Sequence, residues 1–448
     1  MAGAVNAVGT SASFSYPRGL AIDPSDFSLI VGDCSNYLLR RINLGSRDVT
    51  TIAGNVAGGY SDSVGTAALF KCTDNVIVSD TGLIYVADFN HCIRAVTRSG
   101  VVSTLVGACG SSGFSNGIGT SARFNYPVGF AFSADKSSLF IADGRNYKVR
   151  RYTFATSTLS TLAYTFGVID GMTGFSDGTG VVIDQTAASL WNISQTGDVT
   201  RLAGNGVVGY VDGEATAAGF LNPFGAVVDF MTNYIFVADV NDHRIRMIAN
   251  GYVTTIAGSG LPSFVNGFGT AAGFNQPANI AISPGGTLFV SEQMNNCIRQ
   301  LTCVPCPASY YCISGVPVLC PAGSYCPMSS INTTQCPKGT YSAAGAATCT
   351  LCPPGTFTST AGSTSCQPCP GGHHCPPGTS SWARLNCGRG NYCPDGSGAP
   401  TPCPFQVAPT GGWGALQVQG PAFLVETAHC LNHCFWNFTS GDGMLSKC

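Results

Sequence analysis

Between Val237 and Gly258 the chain reads VADVNDHRIRMIANGYVTTIAG. Asp239, Asn241, Asp242, His243, Arg244 and Arg246 crowd into this stretch. So dense a polar cluster is either a chemical site or a structural device, and its recurrence decides which. LIVGDCSNYLLRRINLGSRDVTTIAG ends at Gly54, LIYVADFNHCIRAVTRSGVVSTLVG at Gly107, LFIADGRNYKVRRYTFATSTLSTLA at Ala163 and LFVSEQMNNCIRQLT at Thr302. Each follows a second motif: GTSASFSYPRGLAID, GTAALFKCTDNVIVS, GTSARFNYPVGFAFS, EATAAGFLNPFGAVVD or GTAAGFNQPANIAIS. The repeat is about 54 residues long.

One unit reads as four short strands separated by turn residues. In the unit that holds the opening stretch these are Phe224–Asp229, Tyr234–Ala238, His243–Ala249 and Tyr252–Gly258. A repeated four-stranded antiparallel unit is the signature of a β-propeller blade. The stretch from Tyr164 to Gly204 lacks the Gly-Thr-Ala and Phe-x-x-Pro elements, but TGVVIDQTAASLWNISQTGDVTRLAG still aligns, with Trp191 where Arg usually falls. It counts as a blade with a shortened leading loop. The fold class is all-β: a six-bladed propeller over residues 1–302, an extended disulfide-rich module over 303–404, and a short β or irregular tail over 405–448.

The recurrence assigns most of the polar cluster to architecture. Asp33, Asp88, Asp143 and Asp239 recur at the end of the second strand, with Glu292 in the sixth unit. Arg40, Arg94, Arg150, Arg246 and Arg299 recur on the third strand. A group present once per blade serves the blade, as an Asp–Arg or Asp–backbone brace across the turn. One exposed pair of this kind contributes little energy. The Asx-Gly pairs Asn116-Gly117, Asp177-Gly178, Asp212-Gly213 and Asn266-Gly267 fit turn chemistry better than calcium binding.

These motifs resemble the NHL-repeat family over roughly residues 9–302. Its blades carry a Pro-x-Gly-[Ile/Val]-Ala strand, a Val-Ala-Asp-x-x-Asn-x-x-[Ile/Val]-Arg hairpin and a closing Val-Thr-Thr-[Ile/Leu]-Ala-Gly strand. The resemblance specifies the fold and leaves the function open, since propellers host many activities. Some family members are enzymes, including the lyase that completes peptide amidation, with a metal held by several histidines near the axis. This propeller offers only His91 and His243, in blades two and five. Opposite blades place them too far apart to share an ion with bonds of about 2 Å, and both read as satisfied surface residues. No nucleophile, base or metal motif accompanies them. The reading is a non-enzyme with no cofactor. RNA-binding members use a basic face, but here only 10% of residues are charged and the net charge is −2, which argues against nucleic acid.

Of 22 cysteines, 17 lie beyond residue 302. This density predicts a disulfide framework and an oxidising, extracellular compartment. Sequons at Asn192, Asn332 and Asn437 predict N-linked glycans. No apolar run spans a bilayer. The first residues do not read as a signal peptide, so Met1 is not expected to be the biological start. The propeller cysteines should project from one face, pairing Cys34 with Cys72 and Cys92 with Cys109, and leaving Cys297 for the downstream region or another chain.

Residues 303–404 interleave Cys-x5-Cys pairs with Cys-Pro-x-Gly-Thr-[Tyr/Phe] repeats. The latter resemble the cysteine-rich repeats of ephrin-receptor-like and growth-factor-receptor-like ectodomains. That resemblance implies Cys336–Cys349 and Cys352–Cys366. Each bridge closes a loop of about 13 residues and contributes ~3 kcal/mol in the chain-entropy model. In the tail, Leu416–Gln419 and Ala422–Thr427 look strand-like, and Cys430 and Cys434 should form disulfides rather than join His429 and His433 at a metal.

Blade six has no fourth strand of its own, and an unpaired edge recruits strands. The missing strand is expected from upstream residues, from the tail or from a neighbouring molecule. The leading expectation is an assembly protein: a glycosylated subunit of a surface filament, flagellar hair or coat, built by strand addition and intermolecular disulfides. Self-association or other extracellular proteins are the expected partners. A receptor-type ectodomain that binds a protein or glycan on one propeller face is the alternative, followed by an amidating-lyase-like metal enzyme.

Overall fold

The computed structural model describes residues 2–313, 316–388, 391–402 and 435–437. Six antiparallel sheets form the blades of a propeller. Blade one comprises Pro17–Ile22, Leu29–Asp33, Leu38–Ile42 and Val49–Gly54, paired in chain order. Blades two to five begin at Thr73, Pro127, Ile169 and Pro223 and follow the same order. Blades three and five add a short strand, Gly117–Ile118 and Gly213–Glu214, from the loop that leads into the blade.

Period-2 alternation explains the packing, because both faces of each second strand are buried. Ile30 faces the cluster shared with blade two, whereas Leu29 and Val31 face the one shared with blade six. Six apolar clusters result, one in each gap between neighbouring blades. The first strands crowd together around the axis. A Cβ on Gly129 would sit 2.3 Å from the Met172 nitrogen of the next blade, so the Pro-x-Gly glycine is a requirement of close backbone approach.

The ring closes between blades six and one. Ser291 Oγ donates to the Arg18 carbonyl at 2.6 Å, and the Tyr16 N–H donates to Asn296 Oδ1 at 2.8 Å. Phe14 and Leu20 pack with Ala281, Phe289 and Ile298. Blade six holds Pro277–Ile282, Leu288–Glu292 and Cys297–Val304, and its fourth strand is Phe435–Asn437 from the tail. Of the three sources expected for this strand, the structure places the tail at that edge, and an edge pairs with one strand at a time.

By contacts the chain divides into two compact units, Met1–Cys303 with Trp436–Cys448, and Val304–Phe435. The second unit is a series of two-stranded hairpins, including Ser324–Tyr325 with Thr334–Gln335, Thr340–Tyr341 with Thr350–Leu351, and Thr356–Phe357 with Gln367–Pro368. A glycine links each hairpin to the next. The N–H groups of Gly323, Gly339 and Gly355 donate to the carbonyls of Ser342, Thr358 and Cys375 at 3.0, 2.9 and 2.8 Å. Gly339 has φ +82° and its absent Cβ would meet the Gly378 carbonyl oxygen at 2.2 Å. Among its described residues apolar packing is sparse, with one small cluster of Phe357, Cys369, Cys375 and Trp382.

The expected tail strands at 416–419 and 422–427 and the His429, Cys430, His433 and Cys434 group lie outside the described residues. Among the described residues no helix is long and apolar enough to cross a membrane.

Candidate functional site

The repeated polar groups form one device per blade. Arg40 Nη1 donates to Asp33 Oδ2 at 2.8 Å, Arg94 to Asp88 at 3.1 Å, Arg150 to Asp143 at 2.7 Å and Arg299 to Glu292 at 2.6 Å. In blade five, Arg246 and Asp239 are 3.6 Å apart. Each carboxylate also accepts backbone N–H groups of the leading loop, such as Asn125 on Asp143 at 2.7 Å. The side chains of Arg40, Arg94, Arg150 and Arg246 are fully buried. The expected exposed pair is therefore corrected to a buried one. The leading loop folds over the guanidinium and lays a phenylalanine on it: Phe14, Phe70, Phe124, Phe220 or Phe274, at 5.1–5.6 Å.

The loop supplies a third partner that sequence reasoning did not assign. The second guanidinium nitrogen donates to Asn6 at 2.9 Å, Asp62 at 2.6 Å, Asn116 at 2.9 Å, Asp212 at 2.6 Å and Asn266 at 2.7 Å. Three of the four Asx-Gly pairs thus serve the brace. Asp177, the fourth, caps its own turn by accepting the Thr179 N–H at 2.8 Å. Blade four lacks the arginine. There Asp184 accepts the Gly167 and Ala187 N–H groups at 2.8 and 3.0 Å, and Arg201 stacks on Trp191 at 4.8 Å.

The two histidines are satisfied by contacts between neighbouring blades. His91 Nδ1 accepts the Tyr126 N–H at 3.3 Å, and His243 Nδ1 accepts the Gln276 N–H at 3.1 Å. Burial, then Lys71 for His91 and Arg244 for His243, push both below the usual imidazole range. A neutral ring is what an accepting Nδ1 requires.

The structure joins Cys34 to Cys72, across blades one and two, and Cys92 to Cys109, within blade two. Cys297 and Cys303 are both disulfide-bonded. In the second unit the bridges are Cys306–Cys312, Cys320–Cys326, Cys336–Cys349, Cys352–Cys366, Cys369–Cys375 and Cys387–Cys393. Of the sequon asparagines, Asn332 lies in an exposed segment and Asn192 is half-buried in a strand. The side chain of Asn437 lies outside the described residues.

A different group of residues meets at the mouth of the central channel. All six blades line a cavity of about 630 Å³ there. Its aromatic rings are Tyr16, Phe89, Tyr126 and Phe224; its amides include Gln185, Asn222, Asn241 and Gln276; its charges are Arg18, Arg145 and Asp170. The axial position of the first strand, the x of Pro-x-Gly, is Arg18, Asp74, Val128, Asp170, Phe224 and Ala278 in successive blades. Where the braces repeat, this position varies in charge and size.

Its electrostatics are uneven. Arg18 Nη1 lies 2.7 Å from Asp74 Oδ1, off the angle of a hydrogen bond. Its guanidinium also sits 4.6 Å over Phe224 and 5.2 Å over Phe89. Burial pushes Asp74 up to about 6 against the pull of Arg18, and Asp170 up to about 6 against Arg18 and Arg145. Asp170 is only 9% exposed and accepts no hydrogen bond among the described residues. Its carboxyl oxygens are open to the cavity rather than sealed from water, and a shifted carboxyl facing a cavity makes this a candidate site.

Comparison with known proteins locates the two units. Residues 339–387 match the family model described as tyrosine-protein kinase ephrin type A/B receptor-like. The chain is 24% identical over 298 residues to the Arabidopsis thaliana protein SUPPRESSOR OF QUENCHING 1, chloroplastic, covering 65% of this chain and 25% of that protein. It is 24% identical over 321 residues to NHL repeat-containing protein 2 of Bos taurus, covering 65% of this chain and 39% of the relative. The chain thus spans well under half the length of these curated relatives. A Bacteroides thetaiotaomicron structural-genomics protein of unknown function superposes with TM-score 0.54 at 19% identity, over 67% of this chain and 72% of that one. The chain therefore has NHL-repeat homologues, a six-bladed propeller and an ephrin-receptor-like region. A propeller joined to such a disulfide-rich module suggests an extracellular protein.

Proposed function

We propose that the chain is an extracellular, non-enzymatic binding protein of the receptor-ectodomain type, with its ligand site at the mouth of the channel. One observation carries this reading. In a ring whose braces and cores repeat, the axial position that varies from blade to blade supplies Arg18, Val128, Asp170 and Phe224 to one cavity, and Asp170 accepts no hydrogen bond there from the described residues. The assembly reading loses support by comparison, because Phe435–Asn437 fills the edge it relied on. The disulfide-rich unit would then act as a spacer.

Site-specific photo-cross-linking tests this. A diazirine side chain at Asn241, on the lining, is compared with one at Asp135, in the hairpin turn at the far end of the blade-three strands. Adducts from native extracellular material at position 241 and none at 135 are expected. Equal labelling at both positions contradicts the reading.

A further inference from the structure

The chemistry of the lining narrows the class of ligand. Arg18 offsets Asp74, and Arg145 acts on Asp170 from nearby, so the mouth has no net charge to select an ion. What remains is a set of planar groups that can each make two hydrogen bonds: the Asp170 carboxylate, the Arg145 guanidinium and the amides of Asn241 and Gln276. Tyr126 and Phe224 add apolar ring faces. The cavity, about 630 Å³, falls in the range of small-ligand sites.

Resting on the binding-site reading above, we propose that the channel mouth binds a neutral saccharide. Asp170 accepts hydrogen bonds from adjacent ring hydroxyls, Asn241 and Gln276 exchange them with others, and an aromatic face packs against the C–H face of the sugar. Vicinal hydroxyls are spaced to match planar two-point groups, and a pyranose presents one polar rim and one apolar face. A sugar hydroxyl also supplies the donor that Asp170 lacks. A peptide strand would instead be read chiefly through main-chain hydrogen bonds, and the polar groups named here are side chains.

The test is a printed array of neutral, amino, sialylated and sulfated glycans, followed by calorimetry with the best neutral glycan. The variants are Asp170→Asn, which keeps the shape of the side chain, and Asn241→Ala, at an exposed position where folding is not at stake. Thermal melting confirms that each is folded. Binding confined to neutral glycans, weakened at least tenfold in Asp170→Asn and severalfold in Asn241→Ala, is expected. No glycan binding, preference for charged glycans, or undiminished affinity in both variants overturns the proposal. Cross-linking at position 241 to a peptide, with no glycan bound, overturns the saccharide while leaving the channel mouth as the site. Equal cross-linking at positions 241 and 135 removes the site itself.

Discussion

Asp62 holds Arg94 at 2.6 Å with Oδ1, while its Oδ2 accepts the Thr104 N–H at 3.0 Å. One carboxylate thereby ties the leading loop of blade two to its third and fourth strands. Asp212 repeats the arrangement in blade five with Arg246 and Thr255. The polar cluster that opened the sequence reading is thus half of a buried clamp whose other half lies more than thirty residues upstream.

Breaking the inner pair should be expensive. Asp143→Ala leaves the Arg150 guanidinium buried without its main counter-charge, and removing one partner of a buried pair costs about 3–5 kcal/mol. Denaturant unfolding of the propeller should show this loss. The double variant Asp143→Ala, Arg150→Met should recover part of it, and a non-interacting pair would give purely additive losses.

The outer partner should matter less, and without any metal. Asn266→Ala removes one hydrogen bond to a charged group, worth roughly 1.5–3 kcal/mol. The melting temperature should fall in that variant, whereas a chelator should leave the wild type unchanged. A chelator-sensitive melt would restore calcium to the Asx-Gly turns.

Asp170 predicts a pH dependence of known sign. Its folded-state value lies near 6, above the ordinary value of about 3.9. The folded state therefore binds the proton more tightly. The associated stability is fully present below about pH 3.9 and is lost as pH rises through about 6. Arg18 and Arg145 pull the group down, and Asp184 pushes it up. Asp170→Asn should be more stable than wild type by about 3 kcal/mol at pH 8, with the difference shrinking towards pH 5. A difference independent of pH would show that Asp170 titrates normally.

The second unit depends on its bridges, since among its described residues the apolar packing is limited to the small cluster around Phe357 and Trp382. Reduction should expose residues 320–388 to limited proteolysis before the propeller is cut. The propeller cores lie between blades and do not depend on thiols. Simultaneous cleavage of both units would contradict this order.

The propeller was legible because most blades restate it: the acidic turn residue recurs in all six, the third-strand arginine in five and the Phe-x-x-Pro motif in four, at about 54 residues outside the shortened fourth blade. The tail was one of three expected sources for the fourth strand of blade six, but nothing singled out Phe435–Asn437, which follows Val304 by some 130 residues and matches no repeat. Asn116, Asp212 and Asn266 were visible as turn residues, but nothing local links them to arginines 33–34 positions later. The channel mouth was hidden for the opposite reason to the braces. Arg18, Asp74, Asp170 and Phe224 occupy one position of the repeat, so aligning the copies discards them as variation. Asp170 is harder still, because its Ile-Asp-Gly replaces Pro-x-Gly in the blade with the weakest motifs. Asking which axial position changes charge between copies would have found it.

The polar residues divide into those that brace and those that bind, and one paired measurement separates them. Melting temperature and affinity for a neutral glycan are recorded for Asn266→Ala and Asp170→Asn, both below their melting transitions. Asn266→Ala should melt earlier and bind as wild type does, while Asp170→Asn should hold its melting temperature or raise it and bind at least tenfold more weakly. Loss of affinity in Asn266→Ala with none in Asp170→Asn would contradict the division.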